Sequence, residues 1–248
     1  MFSNLSIAGL AVLGIYFIAM SRVADRLSLS RQRRHLASFV LGLMVTVVVF
    51  VPSPDLFGPD YRFTVNMGQM LLAVDLGPLL LFSGIPAAML QPLQRQNALT
   101  RILSKPYLVG IASTIILLGW FIPVIFEAAS QNLTIWIFKQ ILFLISGLFL
   151  WLPVASPLSM WKPAYPVQLF YLFVMRLPMT VLGILFTFAD KLIYISRSFS
   201  LEICAPSSLA DQRTGGLVIW TVGGLFIFSV LSVVFFRWFN PSKAVESR

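Results

Sequence analysis

Six side chains hold most of the chemistry this sequence could carry, and four of them share one apolar run. Asn66, Met67, Met70 and Asp75 fall within residues 63–82, FTVNMGQMLLAVDLGPLLLF. Asn66 lies four positions before Met70 and Met67 three before it, so on a helix the amide and both thioethers lie on one face. Thioethers are soft donors suited to Cu(I), which makes this face the candidate metal site. Asp75 adds a carboxylate to the same run, where an ionised acid costs roughly 2.5–3.5 kcal/mol even on lenient insertion scales. Pro78 removes a backbone donor close by and is expected to bend the segment beside that acid. Lys139 and Arg176 lie inside two other apolar runs. A pair formed by Asp75 with either base would be a structural clasp between helices or part of a proton or solute route. Lys139 stands near the start of its run, from where a lysine can reach the surface along its own stem. Arg176 stands mid-run and needs a partner.

Other chemistry is thinly represented. The single histidine, His35, sits in a basic stretch beside Arg33 and Arg34, far from the Met67 and Met70 face. The single cysteine, Cys204, excludes an internal disulfide and reads as a free thiol in a loop. No nucleophile with a base, no phosphate-binding glycine loop and no carboxylates at catalytic spacing stand out, so no enzymatic activity is expected.

The elements that must position these groups are transmembrane helices. Of 248 residues, 58% are hydrophobic and 11% charged, with a mean hydropathy of +0.88; soluble domains average roughly 25% charged. Apolar runs of spanning length recur without the alternation of barrel strands. The expected fold is all-α, a single integral membrane domain over residues 1–248. It is a seven-helix bundle with helices at about 5–20, 36–51, 63–90, 107–126, 135–152, 167–189 and 216–236, all read from hydropathy. The first run is followed rather than preceded by basic residues, the reverse of a signal peptide. Arg22, Arg26, Arg31, Arg33 and Arg34 then mark the cytoplasmic side, with the N-terminus outside and the C-terminus cytoplasmic. This arrangement accounts for the net charge of +9 by topology, so membrane lipids and no nucleic acid are expected as partners. Gly215, Gly216, Gly223 and Gly224 invite close helix packing.

Three stretches resemble, in order, motifs of the CtaG family of caa-type cytochrome c oxidase assembly factors: NMGQMLLAVDLGPLLLFSGIPA, GLFLWLPV and ADQRTGGLVIWTVGG. The residues that carry the resemblance are Pro78, Leu79, Leu80, Gly84 and Pro86, with Asp211, Gln212, Gly216, Trp220 and Gly224. It implies a multi-spanning protein of the bacterial cytoplasmic (inner) membrane, concerned with making a copper-containing terminal oxidase. It also implies two histidine pairs as copper ligands. Here those positions fall on Asn66 and Met70 in the third helix, and near Trp136 and Gln140 in the fifth. A chain that keeps the packing motifs without the ligands looks like a non-catalytic accessory or assembly subunit of the respiratory chain, in contact with cytochrome c oxidase subunits and carrying no cofactor. Two alternatives follow: copper delivery through Met67, Met70 and Asn66, or a proton or small-solute carrier using Asp75 and Arg176.

Overall fold

A computed structural model describes residues 2–22, 28–52, 59–94, 98–194, 204 and 206–239, and every regular element among them is helical. In chain order these are α1 (Phe2–Ser21), α2 (Leu29–Val49), α3 (Arg62–Gly84), α4 (Ala98–Leu103), α5 (Pro106–Gly119), α6 (Pro123–Gln131), α7 (Leu133–Ala155), α8 (Tyr165–Thr187) and α9 (Leu209–Phe239). Short 3-10 turns lie at Pro59–Tyr61, Ala87–Gln94 and Ser159–Trp161. The expectations placed on Arg26 and on the C-terminal tail beyond Phe239 lie outside the described residues.

Among the described residues four helices are long and apolar enough to cross a membrane: α3, α7, α8 and α9. Counting α5 with α6 as one bent span gives a fifth. The apolar part of α2 starts only after Arg31, Arg33, Arg34 and His35, and α1 contributes a shorter apolar helix over Val12–Ser21. The multi-pass membrane character therefore rests on a core of four or five spans.

α3 is the central helix. Its apolar window is 61% buried, against 22% for α9, so α3 is enclosed while α9 turns most of its surface outward. α2, α7 and α9 pack around α3; α5 lies against α7 and α8, and α8 against α9. Outward-facing Phe170, Phe173, Leu177, Val181 and Leu185 on α8, with Phe228 and Phe236 on α9, form an apolar exterior that suits lipid rather than water.

Three expected boundaries need correction. The third helix stops at Gly84 rather than running to Leu90, because Ile85, extended at φ −99° and ψ 112°, precedes Pro86. A residue before proline is driven out of the helical region. The fourth helix is broken rather than continuous: Ile122 is extended ahead of Pro123, and α5 and α6 meet at 67°. The last helix begins at Leu209, where Ser208 caps it by accepting a hydrogen bond from the Asp211 N–H at 3.1 Å.

α3 and α9 also share an irregularity. Each contains one π-helical turn, Leu72–Leu76 in α3 and Val218–Val222 in α9. Such wide turns shift the backbone hydrogen-bond register and are frequent at functional sites.

Candidate functional site: polar groups buried between the helices

Asp75 lies in the π turn of α3 and meets Arg176 of α8, whose Nη1 donates to Asp75 Oδ2 at 3.1 Å. The second guanidinium arm, Nη2, donates to the Ile219 carbonyl at 2.7 Å, inside the π turn of α9. One arginine thus joins both irregular turns. Gly223 makes room for it, since a β-carbon there would collide with the guanidinium. Asp75 Oδ1 and Arg176 Nε have no protein partner. Beside the pair lies a cavity of about 20 Å³ lined by Met70, Ser113, Thr114, Met175 and Met179, room for about one water molecule.

The wide turn in α3 has a legible cause. Pro78 has no N–H to offer the carbonyls one turn back, and the Gly77 N–H reaches to Leu72 instead. The Val74 carbonyl is met from outside the helix by Trp151 Nε1 of α7, at 2.9 Å. α7 can approach this closely because Gly147 faces the turn: a β-carbon there would lie 2.6 Å from Pro78 Cγ and 2.8 Å from the Ala73 carbonyl.

Lys139 does not pair with Asp75 and does not reach the surface. It is 1% exposed, and its Nζ donates to Asn66 Oδ1 at 3.1 Å and to Cys204 Sγ at 3.5 Å. The rings of Phe126 and Phe143 lie 5.8 and 5.7 Å from the same nitrogen. Cys204 is correspondingly not an exposed loop thiol. It is fully buried, and burial pushes its pKa up, against the downward pull of Lys139, so it stays a thiol at neutral pH.

The four positions that the resemblance assigns to histidine are all enclosed: Asn66, Met70, Trp136 and Gln140. Gln140 Nε2 donates to the Val49 carbonyl at 2.7 Å. Gln69 Nε2 donates to the carbonyls of Val48 and Val51. Two glutamines from α3 and α7 thereby satisfy the C-terminal end of α2, where helix carbonyls otherwise lack donors. Asn66 Nδ2, Trp136 Nε1 and Gln140 Oε1 have no protein partner.

This donor set does not fit copper. The Asn66 carbonyl oxygen is engaged by Lys139, and an indole nitrogen is a donor that cannot ligate. Met67 faces Gly215 of α9, where a β-carbon would lie 3.3 Å from Met67 Cγ, whereas Met70 lines the cavity beside the ion pair. Among the described residues no three His, Cys, Asp or Glu side chains cluster to hold a metal.

The motif residues at the start of α9 tie the bundle together at one end. The Asp211 carboxylate accepts from the backbone N–H groups of Phe63 at 3.0 Å and Thr64 at 2.9 Å, capping the N-terminus of α3. It also accepts from the Ser207 N–H and the Thr64 hydroxyl. Gln212 holds the segment after α8, accepting from Ile193 N–H at 2.8 Å and donating to the Lys191 carbonyl at 3.2 Å. Arg213 donates twice to the Ala189 carbonyl. Tyr194 donates to the Phe121 carbonyl at 2.8 Å within a cluster of Phe63, Phe121, Phe126 and Phe186; burial pushes its phenol up.

The remaining motif residues are packing contacts. A β-carbon at Gly216 would come within 2.6 Å of the Thr187 backbone nitrogen, and one at Gly84 within 2.6 Å of that of Phe39. Trp220 Nε1 donates to the Thr187 hydroxyl at 3.1 Å. Gly224, grouped with its neighbours on sequence grounds, has open space around it.

Sequence reasoning missed the Lys139–Cys204 contact, the Trp151–Val74 bond and the two glutamines that cap α2. The signal was present for the last two: an indole or amide inside an apolar run must find a partner.

No curated protein and no solved structure matches the chain. The family model described as cytochrome c oxidase caa3 assembly factor (Caa3_CtaG) matches residues 14–240, nearly the whole length, including α3, α7 and α9 with their motifs. The chain belongs to the family of cytochrome c oxidase caa3 assembly factors.

Proposed function

We propose that this protein is a non-catalytic accessory or assembly subunit of a bacterial haem–copper cytochrome c oxidase. In this reading it crosses the cytoplasmic membrane seven times, with α1 and α2 as the first two spans, its N-terminus outside and the Arg31 to Arg34 end in the cytoplasm. The assembly role comes from the family, and one observation carries the choice of a structural over a copper-handling task. The positions that the resemblance gives to histidine hold side chains engaged in joining helices: Asn66 to α7 through Lys139, and Gln140 to the end of α2.

The test is to solubilise native membranes in mild detergent, isolate the chain and measure both co-purifying proteins and copper. Oxidase subunits at fixed stoichiometry with no copper of its own is the expected result. Recovery alone with tightly bound copper would overturn the reading. As a second check, the Met67→Leu, Met70→Leu double variant is expected to leave copper loading of the oxidase at the wild-type level; a loss would favour copper delivery instead. The carrier reading draws little support from a cavity of about 20 Å³ beside Asp75 and Arg176.

A further inference from the structure

At the end of the bundle opposite Asp211, two cavities adjoin, and the second carries more of the basic residues. The first, about 690 Å³, is a groove between α3, α7, α8 and α9, with an apolar stripe of Leu79, Val154, Phe226, Val230 and Val233 along its walls. The second, about 870 Å³, is lined by Arg31, Arg34, His35, Lys162 and Arg237. Ser83, Ser159, Lys162 and Arg237 belong to both, so the apolar groove opens into the basic chamber across a shared wall. Among the described residues neither wall contains an Asp or Glu.

The chemistry that fits such a pair is amphiphilic and anionic. Four cations from α2, the segment before α8 and the end of α9 converge on the chamber, and such a basic wall favours a phosphate. A free inorganic anion would use the chamber alone and leave the groove unexplained. The groove is of the size that takes an extended apolar ligand. Its wall residue Val233 is 50% exposed on the outer surface of α9, so the groove opens sideways towards the bilayer. The floor is held in place by His35, whose Nδ1 lies 2.9 Å from the Ser83 carbonyl and fastens α2 to the end of α3. Basic chambers between transmembrane helices on the cytoplasmic side are suited to acidic headgroups, and the Arg-rich end is the one placed there above.

We propose that the two cavities form one binding site for an anionic phospholipid. Its phosphate is held by Arg34, Lys162 and Arg237, and an acyl chain lies in the groove along α9.

The experiment uses the full chain, delipidated in detergent, with native mass spectrometry after addition of dioleoyl-phosphatidylglycerol, dioleoyl-phosphatidylcholine or inorganic phosphate. One phosphatidylglycerol should be retained per chain at activation energies that strip phosphatidylcholine. The Lys162→Gln, Arg237→Gln double variant is expected to weaken retention about thirtyfold, at about fivefold per cation, while Arg101→Gln, outside the chamber, changes it by less than about twofold. Val230→Trp, which fills the groove and leaves every cation in place, should also abolish retention. If the double variant does not elute as a single species, Lys162→Gln alone, with its expected fivefold loss, decides. Equal retention of both lipids, unchanged retention in the chamber and groove variants, or displacement of phosphatidylglycerol by inorganic phosphate would each overturn the assignment.

Discussion

Arg176 is the residue on which most of the interior depends, because its two arms serve a carboxylate on one helix and a backbone carbonyl on another. Breaking a buried ion pair by removing one partner is costly, about 3–5 kcal/mol, whereas replacing both by apolar groups often costs much less. Asp75→Leu is therefore expected to lower stability by about that amount, and the Asp75→Leu, Arg176→Leu double variant by less than the sum of the singles. Thermal unfolding in detergent reads the coupling, and additive losses would mean that the pair contributes nothing as a pair. Much at this scale was legible in advance. Asp75 and Arg176 were visible as ionisable groups inside apolar runs, with either Arg176 or Lys139 as the candidate partner of the acid. Lys139 was not legible, because its partners are an amide 73 residues earlier and a thiol 65 residues later. No spacing rule connects groups so far apart, and snorkelling described an isolated helix correctly but a packed one wrongly.

At the scale of elements, the irregular stretch of α3 illustrates how a local defect becomes a contact. Pro78 frees backbone acceptors, and Trp151 supplies the missing donor to Val74. Trp151→Phe keeps the ring and removes the N–H, leaving a buried carbonyl unmet at a cost of about 1–3 kcal/mol. Pro78→Ala restores a donor within α3, so in that background Trp151→Phe should cost distinctly less; an equal penalty in both backgrounds would separate the proline from the indole. Sequence placed helices at α3, α7, α8 and α9 because their hydropathy is strong and local. It erred at ends and breaks: twice the deciding residue was a proline acting on its predecessor, at Ile85 before Pro86 and Ile122 before Pro123, and once it was the Ser208 cap of α9. The π turns had only the proline as a clue in α3, and none in Val218–Val222 of α9, where the Ile219 carbonyl accepts from Arg176 instead.

For the whole molecule, the distribution of basic residues predicts the topology, and reporter fusions test it. A fluorescent protein fused after Arg248 should fluoresce, and alkaline phosphatase at the same place should be inactive; the converse would invert the proposed orientation. Length and composition carried the membrane assignment unaided, while the enclosure of α3 by its neighbours depends on contacts between distant segments. That dependence also has a consequence in time. Asp75 and Arg176 are separated by 101 residues, and the Asp211 cap on the start of α3 comes 147 residues after Thr64. At a synthesis rate of about 5–20 residues per second, the central helix waits roughly 5–20 s for its counter-ion. Its N-terminal cap arrives later still. The central helix is thus made early and completed late, so a nascent chain stalled before Arg176 presents an unpaired acid within the bilayer to whatever machinery inserts it.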